Sequence, residues 1–200
     1  MNTISSSYNI QRLDEILNYP DGEQFFNLLS DSFVSINSDV EYFLKNKAVQ
    51  STKLRTSVTY IISKDISNFE IDFVGYFTLA SKILRIPSSG LSNSEKKTLN
   101  LYSHFDDTNN TYNCPAILLA QFGRNFSNKS QSITGHDLME ITLFQIRYIQ
   151  DLIGGKTVFL ECEDKPKLIE FYQNYKFKSL DAPPHISKNN KELLQMYRIL

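Results

Sequence analysis

Apolar positions between residues 23 and 48 recur every three or four residues, which predicts two amphipathic helices interrupted near the sequence SINSD. Ser38 is followed by the acidic Asp39 and Glu41, so we expect it to be the N-cap of the second helix. Residues 1–22 predict a tail and a short helix that ends at the turn sequence YPDG. The N-terminal part of the chain is therefore predicted to be largely helical.

Two runs rich in β-branched and aromatic residues follow, at residues 57–63 and 69–86. They predict a pair of antiparallel strands joined by a turn at KDISN, with a bulge at Gly75 in the longer strand. Residues 87–113 are polar and predict turns with one short helix around SEKKTLNLYSHF.

The C-terminal half of the chain alternates apolar runs with helical patterns. Residues 115–122 predict a central strand covered on both faces, because the run is apolar nearly throughout. Residues 135–153 predict a helix that ends at the pair Gly154 and Gly155. One apolar stripe is expected along that helix, formed by Leu138, Ile141, Phe144 or Gln145, Tyr148 or Ile149, and Leu152.

Three further segments complete the alternation. KTVFLECED predicts a buried strand, and KPKLIEFYQNYKF predicts a helix opened by Pro166 in its first turn. The strand–helix–strand unit over residues 115–163 should form a right-handed parallel crossover. The closing sequence ELLQMYRIL fits either a strand or a helix. Together these elements predict an α+β (α/β) protein.

Composition narrows the class of protein. With 200 residues, 41% of them hydrophobic, the chain can bury a substantial core, and we expect a tail at residues 1–22 and a single domain over 23–200. Cys114 and Cys162 are expected to be buried small hydrophobes, and no metal site is predicted. The N-terminus lacks the features of a signal peptide and no apolar run approaches the ~20 residues of a membrane helix, so we expect a soluble, cytoplasmic protein.

The charge balance bears on partners. Lys and Arg number 21 and Asp and Glu 22, which gives a formal net charge of −1 and no overall basic field to gather nucleic acid. One local basic patch could serve this purpose, and it consists of Lys45, Lys47, Lys53 and Arg55. A run of charges like this is more often the solvent-exposed face of a helix. Any binding to RNA is therefore expected to rest on a local patch.

The stretch FGRNFSNKSQSITGHDLM, residues 122–139, is polar and rich in hydroxyl groups, and it lies between the predicted central strand and the next helix. Thr134 and Asp137 have the spacing of a capping box, so the helix is predicted to begin at Gly135. The backbone N–H groups just before it then lie at the positive end of a helix dipole, which attracts phosphates, and Lys129 could add a charge.

These segments resemble the GNAT (Gcn5-related N-acetyltransferase) superfamily from roughly residue 37 to residue 177. The resemblance rests on VEYFLKNKA, VGYFTLA, ILLAQFGRN, SITGHDLM and, after the VFLECED strand, FYQNYKF, which is similar to the family's FY-x-x-x-GF ending. It implies a mixed, mostly antiparallel central sheet flanked by helices, with one parallel strand–helix–strand unit. In that family acetyl-CoA lies along the fourth strand, and its pyrophosphate lies on the N-terminus of the third helix.

The resemblance also implies a set of residues that bind acetyl-CoA as cosubstrate. Phe122, Gly123 and Arg124 match the strand-end residues whose backbone meets the pantetheine arm. The six residues that match the pyrophosphate loop, usually written Q/R-x-x-G-x-G/A, are Ser130, Gln131, Ser132, Ile133, Thr134 and Gly135. Only Gly135 fits that pattern, because Ser130 replaces Gln or Arg and Ile133 replaces the first glycine.

Tyr172 matches the tyrosine that, in many of these enzymes, protonates the departing CoA thiolate; the alternative is that it packs as part of the core. Glu161 and Glu163 fall on the same side of their predicted strand, and the choice of a general base stays open. Two departures from the family are Lys165, where Asn is common, and Lys176, where the family has Gly.

The function implied by the resemblance is transfer of an acetyl group from acetyl-CoA to a primary amine by direct attack, with the acceptor open. The N-terminal half is similar to GNAT toxins of toxin–antitoxin pairs, which acetylate the amino acid carried on tRNA. A second alternative is a GNAT-like module that has lost catalysis and senses CoA or binds a protein. A third is an α+β interaction domain with a fortuitous resemblance. No membrane partner is expected, and a homodimer is left open.

Overall fold

The computed structural model describes residues 8–67, 70–127, 133–186 and 191–200. Within these ranges the chain forms seven helices and nine strands. In chain order the elements are β1 (Asn9–Arg12), α1 (Leu13–Leu17), α2 (Gly22–Asp31), α3 (Ser38–Asn46), α4 (Ala48–Lys53), β2 (Val58–Ser67), β3 (Glu70–Pro87), α5 (Asn93–Leu99), β4 (His104–Asp106), β5 (Thr111–Arg124), α6 (Gly135–Ile153), β6 (Thr157–Glu163), α7 (Pro166–Asn174), β7 (Lys178–Ser179), β8 (His185–Ile186) and β9 (Glu192–Ile199).

The strands form one mixed sheet with the order β1-β2-β3-β5-β6-β9-β7, while β4 pairs with β5 and β8 pairs with β9. Among the pairs whose register is described, only β5 and β6 are parallel, with Ala116 opposite Thr157 and Leu119 opposite Leu160. Helix α6 connects these two strands, as a parallel pair requires. The predicted strand–helix–strand unit and the mostly antiparallel sheet are therefore confirmed.

The N-terminal elements follow the sequence pattern with four differences, one of which is α4, a helix that the sequence analysis did not predict. The second predicted helix, α3, is capped by Asn37 rather than Ser38, because the Asn37 side chain accepts the Asp39 N–H at 3.0 Å. The predicted turn at KDISN is wrong over its first four residues, since β2 continues to Ser67. Strand β1 was not predicted; its four residues carry no alternation and form a strand by pairing with β2.

Helix α6 has the predicted bounds. In the second half of its predicted stripe Leu152 is wrong, and of the alternatives left open Gln145 and Ile149 are half-buried whereas Phe144 and Tyr148 are exposed. Phe144, Tyr148 and Leu152 are 50%, 54% and 66% exposed. The buried row repeats every four residues and includes two polar positions that an apolar pattern cannot reveal: Leu138, Thr142, Ile146 and Gln150. Thr142 tolerates burial because its hydroxyl donates to the Leu138 carbonyl at 2.7 Å.

The chain divides into two compact units, and each has its own core. The first unit comprises residues 1–80 and 120–145, and its described core includes Leu13, Phe33, Leu44 and Tyr76. The second unit comprises residues 81–119 and 146–200. Its core includes Leu84, Leu99, Cys114, Phe159 and Tyr197. Both cysteines are buried, as expected.

Candidate functional site

A bulge in β3 creates the attachment point for the end of β5. Ile62 pairs with Gly75 whereas Ser63 pairs with Phe73, so Val74 is an extra residue in β3. A bulged residue disturbs the strand ladder, and its backbone groups become available to other partners. The Val74 carbonyl accepts the backbone N–H of Asn125, at 2.9 Å. The predicted bulge thus lies beside Gly75 and fixes the residue that follows β5.

The side chain of Asn125 ties three segments of the first unit together. Its Nδ2 donates to the Phe73 carbonyl at 2.8 Å. Its Oδ1 accepts the N–H groups of Val34 and Ser127, both at 3.0 Å. Asn125 is only 2% exposed, so these bonds replace water at a buried amide. Sequence reasoning did not single it out, because an Asn within a polar stretch gives the same signal as a solvent-exposed loop residue.

Gly123 allows the end of β5 to pack closely inside the first unit. A Cβ on Gly123 would lie 2.5 Å from Val40 Cγ1 and 3.3 Å from the Phe33 ring. A Cβ on Gly75 would lie 2.9 Å from the Gly123 carbonyl oxygen. The shortest of these distances at each position is below van der Waals contact. The close packing of the end of β5 against β3 therefore favours glycine at both positions.

Arg124 connects the strand end to the start of α6. Its Nη1 donates to the Ile133 carbonyl at 3.0 Å. Its guanidinium carbon lies 4.4 Å from the centroid of the Phe126 ring, the geometry of a cation–π contact. The Ile133 side chain is fully buried, which accounts for an isoleucine where the family pattern has glycine. Of the predicted residues at the end of β5, Arg124 thus contacts Ile133, two residues before Gly135.

The predicted capping box at the start of α6 is present. Asp137 N–H donates to Thr134 Oγ1 at 3.0 Å, while the Thr134 N–H and hydroxyl donate to Asp137 Oδ2 at 2.9 and 2.7 Å. The Thr134 N–H is therefore already engaged. The first backbone donor of the helix without a partner among the described residues is that of Gly135. Lys129, Ser130, Gln131 and Ser132 lie outside the described residues.

The charges around this helix end favour an anion. Helix α6 has 19 residues, long enough for its dipole to place a positive partial charge at Gly135. The Arg124 guanidinium, bonded two residues before Gly135, adds a full positive charge. Asp137 is a counter-charge, but its Oδ2 already accepts two hydrogen bonds from Thr134. This end of α6 can therefore offer a backbone donor and a guanidinium to a phosphate.

Tyr172 lies on α7 in the second unit and is nearly fully buried. Its ring packs against Phe171 and Phe177, with centroids 5.3 and 6.0 Å apart. Burial, with a smaller contribution from the neighbouring Cys162, raises the pKa of its phenol well above the ordinary value. The side chain is therefore a neutral phenol at physiological pH, and its raised pKa makes it a weaker acid than an ordinary tyrosine.

A Schellman motif ends α7 just after Tyr172. The Phe177 N–H donates to the Tyr172 carbonyl at 3.1 Å, and the Lys176 N–H donates to the Gln173 carbonyl at 2.8 Å. In this motif the residue after the C-cap adopts the left-handed backbone conformation, and that residue, Lys176, has φ of +63°. Lys176 thus adopts the backbone conformation for which the family uses glycine.

The two carboxylates of β6 have different surroundings. Glu163 forms ion pairs with Lys165 and Lys191, and its hydrogen bond from Lys165 is the main reason that its pKa is lowered. Glu161 accepts a hydrogen bond from the Gln195 amide at 2.9 Å. A lowered pKa makes Glu163 a weaker proton acceptor than an ordinary glutamate. Lys165, a departure from the family pattern, acts here as the partner of Glu163.

No group of three His, Cys, Asp or Glu side chains within the described ranges could hold a metal ion. Among the helices that the structure describes, none is both long enough and apolar enough to cross a lipid bilayer.

Comparison with known proteins gives structural matches only. The sequence matches no protein-family model and no curated protein. A KacT variant with a tyrosine changed to phenylalanine matches with a TM-score of 0.62 at 16% identity, covering 94% of both chains. AtaT in complex with acetyl-methionyl-tRNAfMet matches with a TM-score of 0.61 at 18% identity, covering 94% of this chain and 93% of AtaT.

A further match is the toxin AtaT with a tyrosine changed to phenylalanine, bound to the C-terminus of the antitoxin AtaR and to acetyl-CoA. Its TM-score is 0.58 at 16% identity, and the match covers 96% of this chain and 93% of AtaT. Structural matches at identities this low establish the fold alone. The fold agrees with the sheet and helices described above. The protein therefore has the GNAT fold, and the structures that it matches include toxins of toxin–antitoxin pairs.

Proposed function

We propose that the protein is an N-acetyltransferase that moves an acetyl group from acetyl-CoA to a primary amine by direct attack. The observation that carries the proposal is the junction between Arg124 and Ile133, which joins the end of β5 to the start of α6 in a GNAT fold. A strand end and a helix N-terminus joined in this way suit a cosubstrate with an extended arm and a pyrophosphate.

The residues of this junction have defined roles in the proposal. The backbone of Phe122, Gly123 and Arg124 holds the pantetheine arm, and the start of α6 binds the pyrophosphate. The pyrophosphate segment comprises Lys129, Ser130, Gln131, Ser132, Ile133, Thr134 and Gly135. The donor chemistry fits an anion, because the Gly135 N–H lies at the positive end of the helix dipole and the Arg124 guanidinium carries a full positive charge. The bound cosubstrate supplies an activated acetyl thioester.

Tyr172 is the proposed general acid. When the amine attacks the thioester carbonyl, the C–S bond breaks and the departing thiolate needs a proton. The phenol of Tyr172 is protonated at neutral pH and so holds the proton to be donated, while burial raises its pKa and makes it a weaker acid than an exposed tyrosine. The ring contacts with Phe171 and Phe177 and the Schellman motif hold the phenol in one orientation. The phenolate then regains a proton from the attacking ammonium, directly or through water.

The proposed acceptor is the α-amino group of an amino acid esterified to tRNA. One observation supports this class of acceptor: the structural match to AtaT in complex with acetyl-methionyl-tRNAfMet. An ester-linked amino acid has an amine of low basicity, so a substantial part of it is unprotonated at neutral pH and ready to attack.

Replacing Tyr172 with Phe tests the mechanism. We expect the rate of acetyl transfer from acetyl-CoA to methionyl-tRNA to fall by about 10²–10⁴-fold, the usual contribution of a general acid. The dissociation constant for acetyl-CoA should stay within about threefold, because the phenol acts on the leaving group rather than on binding. Transfer is measured with radiolabelled acetyl-CoA under single-turnover conditions, and binding is measured by calorimetry.

Tyr175→Phe is the matched control. Tyr175 ends the same helix, and its ring lies 5.4 Å from that of Phe171, so the variant loses a hydroxyl from the same aromatic cluster. We expect it to keep full turnover. An undiminished rate in Tyr172→Phe would remove Tyr172 from the mechanism, and an equal loss in both variants would assign the effect to packing.

A further inference from the structure

The formal net charge of −1 conceals opposite charges in the two units. Residues 1–80 and 120–145 contain 8 Lys and Arg against 12 Asp and Glu, a net charge of −4. Residues 81–119 and 146–200 contain 13 Lys and Arg against 10 Asp and Glu, a net charge of +3. The average over the chain therefore hides a basic unit, and a local positive field is available to attract a polyanion.

The basic residues of the second unit include a cluster around one cavity of about 460 Å³. Four cations line it, each from a different segment, and we call this the basic cleft: Arg147, Lys176, Lys178 and Arg198. They come from α6, the residue after α7's C-cap, β7 and β9. No stretch of the sequence contains all four, which is why a search for charge runs misses the cluster.

One carboxylate side chain, Glu95, also lines the basic cleft. Lys178 donates to it at 3.0 Å, and Ser92 donates to it through both its hydroxyl and its backbone N–H. The charge of Glu95 is thus shared between Lys178 and the cap of α5. Arg147 and Lys176 are exposed, and neither forms an ion pair with any described residue. The cleft therefore keeps an excess of positive charge.

The basic patch that the sequence predicts has different electrostatic surroundings. Lys45 pairs with Glu41 at 2.8 Å, and Lys53 pairs with Glu23 at 2.5 Å. Both pairs belong to the unit with net charge −4. Cations in a unit of net charge −4 attract a polyanion less than cations in a unit of net charge +3, and this difference separates the patch from the basic cleft.

We propose that the basic cleft binds the phosphodiester backbone of tRNA. The choice of RNA rests on the proposed function, in which an aminoacyl-tRNA is the acceptor. The cleft itself indicates the chemistry, because its cations reach solvent from several separate elements. Such groups contact successive phosphates of a polyanion through charge, whereas a small-molecule site needs buried, fixed polar groups.

Binding of deacylated tRNA, with no acetyl-CoA present, tests the cleft directly. Affinity is measured by fluorescence anisotropy over a series of KCl concentrations, using the full chain. The double variant Arg147→Gln/Lys176→Gln should weaken binding about tenfold near 0.1 M salt. It should also reduce the slope of log K against log[salt] by about 0.7–0.9 for each phosphate that the variant no longer neutralises.

Lys82→Gln/Lys97→Gln is the matched control. Both lysines are exposed, belong to the second unit and do not line the basic cleft, so this variant loses the same net charge. We expect its affinity and salt slope to stay near those of the original protein. Equal weakening in the two double variants would overturn the proposal, since the unit's net charge alone would then explain binding. Equal binding of poly-glutamate would also overturn it, in favour of an acidic protein partner.

The proposed function and the basic cleft can fail separately in this design. A protein that binds acetyl-CoA in calorimetry but not tRNA contradicts the basic cleft and leaves the acetyltransferase proposal standing. A protein that binds tRNA through Arg147 and Lys176 but not acetyl-CoA confirms the basic cleft and contradicts the acetyltransferase proposal. Thermal unfolding of each variant establishes that the comparison is made between folded proteins.

Discussion

Removing the Asn125 side chain should destabilise the protein far more than a typical polar substitution. Asn125→Ala deletes the donor to the Phe73 carbonyl and the acceptor of the Val34 and Ser127 N–H groups. Because the position is only 2% exposed, water does not easily take the place of the deleted amide. The Phe73 carbonyl is then left without this hydrogen bond in a buried setting, and the part-buried Val34 N–H also loses its acceptor.

The magnitude follows from the number of bonds. Each side-chain hydrogen bond contributes about 1 kcal/mol net, and a buried group left unpaired costs about 1–3 kcal/mol. Three bonds at this site therefore give an expected loss of about 3 kcal/mol in the free energy of unfolding. For a chain of this length that corresponds to a fall of about 6–12 °C in Tm.

Asn125→Asp separates the donor from the acceptor. The carboxylate can still accept from Val34 and Ser127, but its second oxygen then faces the Phe73 carbonyl in a buried position. We expect burial and this repulsion to raise the folded-state pKa of the new carboxyl group. The stability deficit should therefore be small below about pH 4, where both states are protonated. The stability deficit should grow as pH rises from about 4 through the folded-state pKa of the new carboxyl group.

Urea unfolding followed by circular dichroism at pH 3.5 and pH 7 measures both variants. Asn46→Ala is the control, because that exposed side chain makes one hydrogen bond, to the Tyr42 carbonyl at 3.0 Å. Its loss should stay within about 0.5 kcal/mol. A loss below about 1 kcal/mol for Asn125→Ala, or an Asn125→Asp deficit that does not grow with pH, would refute the role assigned to Asn125.

Two further substitutions probe the ends of short helices. Lys176→Gly should raise the free energy of unfolding by about 1 kcal/mol, since a side chain at φ of +63° is strained. The control Lys97→Gly, inside α5, should lower it by a similar amount. Chemical unfolding measures both variants, and opposite results would contradict the cap geometry. Glu95 has its pKa lowered to about 2, mainly by the hydrogen bond from the Ser92 side chain. The stability that ionised Glu95 contributes is fully present above the ordinary carboxyl pKa and is lost as pH falls toward 2. The free energy of unfolding of Glu95→Gln should therefore depend less steeply on pH between about pH 4.5 and pH 2.

Local spacing in the sequence was enough to predict α6, its capping box and its glycine end. Each depends on residues within a few positions of one another, such as Thr134 with Asp137. The same holds for Pro166 at the start of α7 and for the long apolar run that became β5. The parallel pairing of β5 with β6 then followed from chain order, because α6 lies between them.

Long-range contacts account for what the sequence did not reveal. Asn125 acquires its role from Phe73 and Val34, which are 52 and 91 residues away along the chain. The buried face of α6 includes Thr142 and Gln150, and no apolar pattern marks such positions. The basic cleft gathers cations from separate elements, so a count of charges over the whole chain could not find it.

A calorimetric titration of the protein with acetyl-CoA tests the proposed acetyltransferase function most directly. We predict micromolar binding that is lost in Gly135→Glu, because a carboxylate at the first position of α6 repels the pyrophosphate while remaining compatible with a helix N-terminus. Asn93→Glu places the same charge at the first position of α5 and should leave binding unchanged. No heat of binding from a folded sample, or equal binding by Gly135→Glu, would contradict the account of this helix end as the cosubstrate site.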